Sequence, residues 1–201
     1  LQHQILELLE TVVLRYKNHP ALAAWQVENE PLFPFGHCPF HEVTFLQEEI
    51  DLVRQIDPNH EVFTSDSGEL STWFKTASRA DKLAITLYQK LWSGELNTYL
   101  SLPIPPSYYA IKVWIVRKFL GKEVFVGELQ AEPWVEGELE DASVEEMEKT
   151  LTHKQLQKNI AFVKRTGIST IYLWGTEWWY YMKDKQDMDE FWLEVGKLFV
   201  E

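Results

Sequence analysis

Segments with helical apolar spacing alternate along this chain with short, almost wholly apolar runs. That alternation restricts the fold more than any other feature. Residues 1–18 place Ile5, Leu8, Leu9, Val12, Val13 and Tyr16 on one helical face. The stretch 19–31 reads as a buried strand ending at Val27 or Glu28, and 32–41 as a Pro/Gly loop. A second amphipathic helix covers 44–56 and stops at Asp57-Pro58. A strand at 61–69, a helix at 71–81 and a strand at 83–89 follow. Beyond a loop holding Pro103, Pro105 and Pro106 come a helix at 108–120 and a strand at 122–130. The acidic stretch 136–149 reads as a solvated loop and helix start. A helix at 152–166 ends at Gly167, followed by a strand at 168–175 and a last helix at 189–200. Strands this apolar need cover on both faces, and intervening helices supply it, so the expected class is α/β with a parallel sheet. No repeat of solenoid period and no linker divides the chain, so 1–201 is expected to be a single domain.

Charge and composition exclude several functions. With 19 basic and 31 acidic side chains, the net charge is 19 − 31 = −12. A nucleic-acid backbone requires a basic surface, so that partner is excluded. No apolar run reaches the length of a membrane-spanning helix. The single cysteine, Cys38, rules out an internal disulfide framework and leaves the compartment open. The chain opens on Leu1 rather than Met, so further residues upstream are expected. Nine tryptophans are available to cover flat apolar ligand faces.

In parallel α/β folds, ligands sit at the carboxyl ends of the strands. Here those ends read Glu28-Asn29-Glu30-Pro31, Thr64-Ser65-Asp66-Ser67, Thr86-Leu87-Tyr88-Gln89, Gly127-Glu128-Leu129-Gln130 with Glu132 and Trp134 beyond, and Leu173-Trp174-Gly175-Thr176-Glu177-Trp178-Trp179. Two carboxylates on separate strands suit cleavage of a glycosidic bond. One donates a proton to the leaving oxygen, and the other attacks the anomeric carbon. A tyrosine can hydrogen-bond the attacking carboxylate, and a tryptophan can floor the sugar ring.

The segment Trp25-Gln26-Val27-Glu28-Asn29-Glu30-Pro31 resembles the Asn-Glu-Pro motif closing the fourth strand in glycoside hydrolase clan A, the cellulase- and β-galactosidase-like (β/α)8 enzymes. Val124-Phe125-Val126-Gly127-Glu128-Leu129 resembles that clan's seventh-strand segment. The phrases 64–73, 127–134 and 172–179 resemble a group of cellulase-like bacterial proteins. The resemblance implies a TIM barrel, of which this chain carries about five βα units, the fourth to the eighth strands. It implies Glu30 as acid/base, Glu128 as nucleophile and Asn29 holding the sugar 2-hydroxyl. It implies Tyr88 beside the nucleophile and Trp174 under the sugar. Carbohydrate is the implied substrate, and no cofactor or metal is required.

The sequence also departs from the clan. After its glutamate the seventh strand usually continues with an aromatic and a glycine, whereas here it continues Leu129-Gln130-Ala131. Glu132 is a second carboxylate, a further candidate for the site and a rival for the nucleophile. Asp66 either touches sugar or caps the following helix, and Trp178 either joins the site or packs under the last helix. Trp25, Trp73, Trp114 and Trp192 read as core, and His3, His19, His60 and His153 as exposed. His37, Cys38 and His41 lack a fourth ligand for a structural metal.

Two rival functions remain open. One is a barrel that binds carbohydrate without cleaving it. The other is a metal-dependent sugar isomerase or lyase built on Glu28, Glu30, Glu128, Glu132 and Glu177. Five strands leave open sheet edges, so either a complementary N-terminal barrel segment or a second copy of the chain is expected to complete the fold.

Overall fold

The structure, a computed structural model, describes residues 1–34 and 42–199. Its elements are α1 (Gln2–Tyr16), β1 (Ala24–Gln26), α2 (Val43–Ile56), β2 (Glu61–Ser67), α3 (Phe74–Ala77), β3 (Lys82–Leu87), β4 (Lys90–Ser93), β5 (Thr98–Ser101), α4 (Pro106–Leu120), β6 (Glu123–Gln130), α5 (Val144–Glu148), α6 (His153–Val163), β7 (Ile171–Trp174), α7 (Thr176–Lys185) and α8 (Glu190–Gly196). The chain forms two compact units, residues 1–86 with 111–125 and residues 87–110 with 126–201. The mixed α/β class is as expected, with parallel strands compatible with part of a TIM barrel.

In the first unit β1, β2 and β3 lie side by side, with Ala24 opposite Glu61 and Phe63 opposite Lys82. Helices α1 and α2 bury their apolar stripes against this layer. Val13, Val27, Leu46, Ile50, Val53, Val62 and Ala80 form its core, with Leu9, Trp25, Leu32 and Ile56 packed around them. Polar groups tie the strand starts together. Lys82 bridges Glu61 at 2.8 Å and Glu123 at 3.3 Å. Asp81 accepts from the Val62 amide at 2.8 Å and from Arg54 at 2.7 Å.

Several expectations change in this unit. The strand expected over 19–31 is only Ala24–Gln26, because Glu28 turns left-handed (φ 61°) and ends the extended run. The helix expected over 71–81 shrinks to Phe74–Ala77. Trp73 is left-handed (φ 67°) and buried, and its indole donates to the Ser67 carbonyl at 2.8 Å, which holds residues 71–73 out of the helix. Trp73 is core as expected, and Trp25 is half-buried with its indole on Asp57. Trp114 is 59% exposed. Val113 and Val116 take the buried face of α4, and Trp114, the next residue after Val113, is turned about a quarter of the way round the helix from it. His3 and His19 are exposed as expected, whereas His60 is partly buried against Asp57.

In the second unit β6 pairs in parallel with β7. Val126 lies opposite Ile171 and Leu129 opposite Leu173, so β6 spends three residues where β7 spends two. The extra residue makes a bulge at Gly127-Glu128. Bulges re-aim side chains next to functional sites. Helices α5 and α6 begin with Ser143 and Thr152, whose hydroxyls accept from the Glu146 and Gln155 amides three residues on. Thus part of the acidic stretch 136–149 is the ordered helix α5. Trp178 (with Phe191), Trp179, Met147 and Met182 fill the space beneath. Trp192 is exposed on α8 rather than core, because Phe191 and Val195 take the buried face. His153 is partly buried against Glu194.

Two elements in this unit were not expected. The antiparallel hairpin β4–β5 pairs Trp92 with Tyr99 across the ladder, ring centroids 4.9 Å apart. Helix α7 follows β7 directly. Four-residue strands and a helix whose first turns hold Trp-Trp-Tyr-Tyr carry too little periodicity to be read from sequence. No helix among the described residues is long and apolar enough to cross a membrane.

Candidate functional site

In the first unit the segment after β1 is held by side chains at the ends of β2 and β3. The Val27 amide makes the last sheet-like bond, to the Phe63 carbonyl at 2.8 Å. Beyond it both Glu28 (φ 61°) and Glu30 (φ 49°) are left-handed. Each such residue without glycine's freedom costs about 1–2 kcal/mol, so surrounding bonds must impose the conformation. Ser65 supplies two of them. Its hydroxyl accepts from the Glu30 amide at 2.9 Å and donates to Asn29 Oδ1 at 2.7 Å. The Thr86 hydroxyl donates to Glu30 Oε1 at 2.7 Å, so the carboxyl is oriented from β3. Asn29 and Glu30 therefore come together as a built pair, with Asn29 exposed and Glu30 partly buried. Ser65 and Thr86 were not singled out from sequence, although each is a polar residue in an otherwise apolar strand end.

Asp66, also in this unit, is buried. It accepts from the Ser67 amide at 3.0 Å, Ser71 at 2.6 Å and Thr76 at 2.7 Å. Those bonds fasten residues 67–76 to the end of β2, and no side chain caps α3.

The second unit holds the other group. Glu128 sits on the β6 bulge, and the Tyr88 hydroxyl donates to its Oε2 at 2.9 Å. Trp134 meets the Tyr88 ring edge-on, with centroids 5.1 Å apart, and fixes its plane. The Trp174 indole donates to Glu132 Oε1 at 2.8 Å. Burial pushes the Glu132 carboxyl above the usual range, and the neighbouring charges of Glu177 and Glu128 add to that, against the indole bond. Trp174 is 49% exposed and presents ring surface to solvent. Trp178 is buried, its indole directed at the Met147 sulfur, so it packs and does not join these residues.

The approach of β7 to the end of β6 depends on Gly175. Its φ is 134°, and an added Cβ would lie 2.8 Å from Glu132 Cβ and 2.9 Å from the Ala131 carbonyl carbon and oxygen. Gly175→Ala is therefore expected to lower stability by about 1–3 kcal/mol and to disturb the Trp174–Glu132 contact. Urea unfolding and Trp fluorescence check this, and an unchanged midpoint would count against so close a packing.

Among the described residues no group of three or more His, Cys, Asp or Glu side chains is placed to hold a metal ion. His37, Cys38 and His41 lie outside the described residues.

Comparison with known proteins gives these features a class. The sequence pattern of the beta-galactosidase family Glyco_hydro_42 matches residues 1–117. The second unit's nucleophile candidate lies beyond that match. Solved structures of similar fold include a β-D-glucuronidase from Dictyoglomus thermophilum, with TM-score 0.61 and 16% identity. It is matched over 86% of this chain and 28% of its own. A β-galactosidase from the psychrophilic Marinomonas ef1 has TM-score 0.56 and 14% identity, over 86% of this chain and 36% of its own. An endo-1,4-β-xylanase from Caldicellulosiruptor owensensis has TM-score 0.51 and 17% identity, over 87% of this chain and 56% of its own. The chain thus spans about a quarter to just over half the length of these structures. No curated protein matches it in sequence. The class these findings define is the glycoside hydrolases. The chain belongs to the beta-galactosidase family whose pattern it matches.

Proposed function

We propose that the chain carries the two catalytic carboxylates of a retaining β-glycoside hydrolase of clan A type, within the fourth to eighth βα units of a (β/α)8 barrel. The observation that carries this reading is Glu128 on a strand bulge with the Tyr88 hydroxyl 2.9 Å from its carboxylate. Family membership supports glycosidase chemistry at the level of class.

In the first step Glu128 attacks the anomeric carbon as the glycosidic C–O bond breaks, and Glu30 gives its proton to the departing oxygen. In the second, Glu30 takes a proton from water. The water oxygen attacks the anomeric carbon and frees Glu128. Asn29, fixed by Ser65, holds the sugar 2-hydroxyl. Trp174 and Glu132 line the ring, one by its face and the other by its carboxyl. A retaining mechanism asks for carboxyl groups ~5–5.5 Å apart. Three further βα units complete such a barrel, supplied by a complementary N-terminal segment or by another chain.

The test is leaving-group dependence in the full-length protein. Glu30→Ala is expected to slow hydrolysis of unactivated β-glycosides by about 10²–10⁴-fold and to spare activated aryl glycosides, which need little protonation. Proton NMR of the first-formed anomer should show retention. Equal losses on both substrate types, or inversion, would remove the assignment. Sugar binding with no turnover by the wild-type protein would favour a carbohydrate-binding role.

A further inference from the structure

The departure of β6 from the clan pattern, Leu129-Gln130-Ala131, has a structural counterpart. Gln130 is fully buried, at 0% exposure. Its side-chain oxygen accepts from the Gln89 amide at 3.0 Å and the Lys90 amide at 3.1 Å, and its side-chain nitrogen donates to the Lys90 carbonyl at 2.5 Å. One primary amide therefore grips the backbone on the carboxyl side of Tyr88 with both acceptor positions and a donor. Tyr88 and Gln89 lie between the end of β3 and the start of β4. The segment that aims the Tyr88 hydroxyl is thus held by this side chain.

The grip is itself braced. The Asn159 side chain donates to the Gln130 carbonyl at 2.9 Å. Gln155 donates to Asn159 Oδ1 at 2.8 Å and reaches Gln89 Oε1 at 3.5 Å. The chain of amides starts at β6, passes through α6 and returns to residue 89. Glu128 and Gln130 are two apart on one strand, Glu128 on the bulge and Gln130 back in register opposite Trp174. One meets the Tyr88 hydroxyl and the other the backbone just after it.

We propose that Gln130 is a positioning residue that sets the Tyr88 hydroxyl against Glu128. The proposal rests on the reading of Glu128 as nucleophile for its kinetic consequence only. A glutamate at 130 would keep both acceptor bonds, and once ionised it would lose the donor to the Lys90 carbonyl and place like-signed oxygens together. An alanine would leave the Gln89 and Lys90 amides without their acceptor.

The experiment compares Gln130→Glu, Gln130→Ala, Tyr88→Phe and the Gln130→Glu/Tyr88→Phe double variant in the full-length protein. The first readout needs no turnover: the titration of the Glu128 carboxyl, followed by carbon-13 NMR of labelled glutamate. Loss of a hydrogen bond donated to a carboxylate should raise its midpoint by about one pH unit. Gln130→Glu is expected to reproduce most of the Tyr88→Phe shift, and the double variant to add little to either. The second readout is kcat/KM against pH, where Gln130→Glu should lower the plateau about 10–100-fold and move the acidic limb the same way. If Gln130→Ala fails to fold, Gln130→Glu carries the test. A folded Gln130→Glu protein with an unmoved Glu128 titration overturns the proposal. So does an additive double variant. An NMR shift without any kinetic change upholds Gln130's role and overturns Glu128 as nucleophile.

Discussion

Glu128→Ala is expected to reduce turnover by at least about 10³-fold while sugar binding changes only a few-fold. In the proposed mechanism this carboxylate bonds to the anomeric carbon, so its loss removes the covalent step. In the proposed mechanism ground-state binding comes from other side chains, among them Trp174 and Asn29, which the substitution does not alter. Calorimetric titration with a product sugar, beside single-turnover kinetics, separates the two quantities. Glu132→Ala is the internal control. It removes the acceptor of the Trp174 indole bond and should cost about tenfold, chiefly in KM. Should Glu132→Ala be inactive and Glu128→Ala mildly impaired, the nucleophile lies four residues further on.

Much of this arrangement was legible because α/β folds impose it. Parallel strands must be apolar along their length, so the first polar residues after each run mark the ligand end. Glu30, Glu128, Tyr88 and Trp174 stand out as candidates on that ground. Features resting on a departure from regular geometry were invisible. The bulge that aims Glu128 leaves Val126-Gly127-Glu128-Leu129 reading as plain strand. Left-handed backbone at Glu28 and Glu30 occurs at residues that show no such preference, because the bonds from Ser65 and Thr86 come from distant positions. Trp114 and Trp192 show the opposite limit. Hydrophobicity alone placed them inside, while helix phase gave the buried positions to Val113, Val116 and Phe191. Gln130 reads as an ordinary polar strand end, and its function lies in backbone groups that carry no sequence signal.

Glu49, in the middle of α2, is a buried carboxyl whose ionisation bears on stability. It is 0% exposed, and no N–H or O–H donor reaches either of its carboxyl oxygens. The group that faces it is the carboxyl of Glu28. Burial first, and the neighbouring Glu28 carboxyl second, push Glu49 from its ordinary 4.5 up to about 8. The sign of the consequence follows from linkage. A carboxyl that holds its proton more tightly when folded contributes its full stability below about pH 4.5, where both states are protonated. Between there and about 8 the unfolded chain sheds the proton and the folded chain keeps it, so stability falls as pH rises. Above that range the folded protein carries a buried charge and the loss is complete. Glu49→Gln keeps the shape and removes the titration. Relative to it, wild-type protein should lose several kcal/mol of unfolding free energy across this window, an order-of-magnitude figure from ~1.4 kcal/mol per pH unit. Urea unfolding of both proteins from pH 4 to pH 9 measures the difference directly. Parallel curves would mean that Glu49 is solvated in the native state. A gap that opens only below pH 4 would mean that it is ionised and paired.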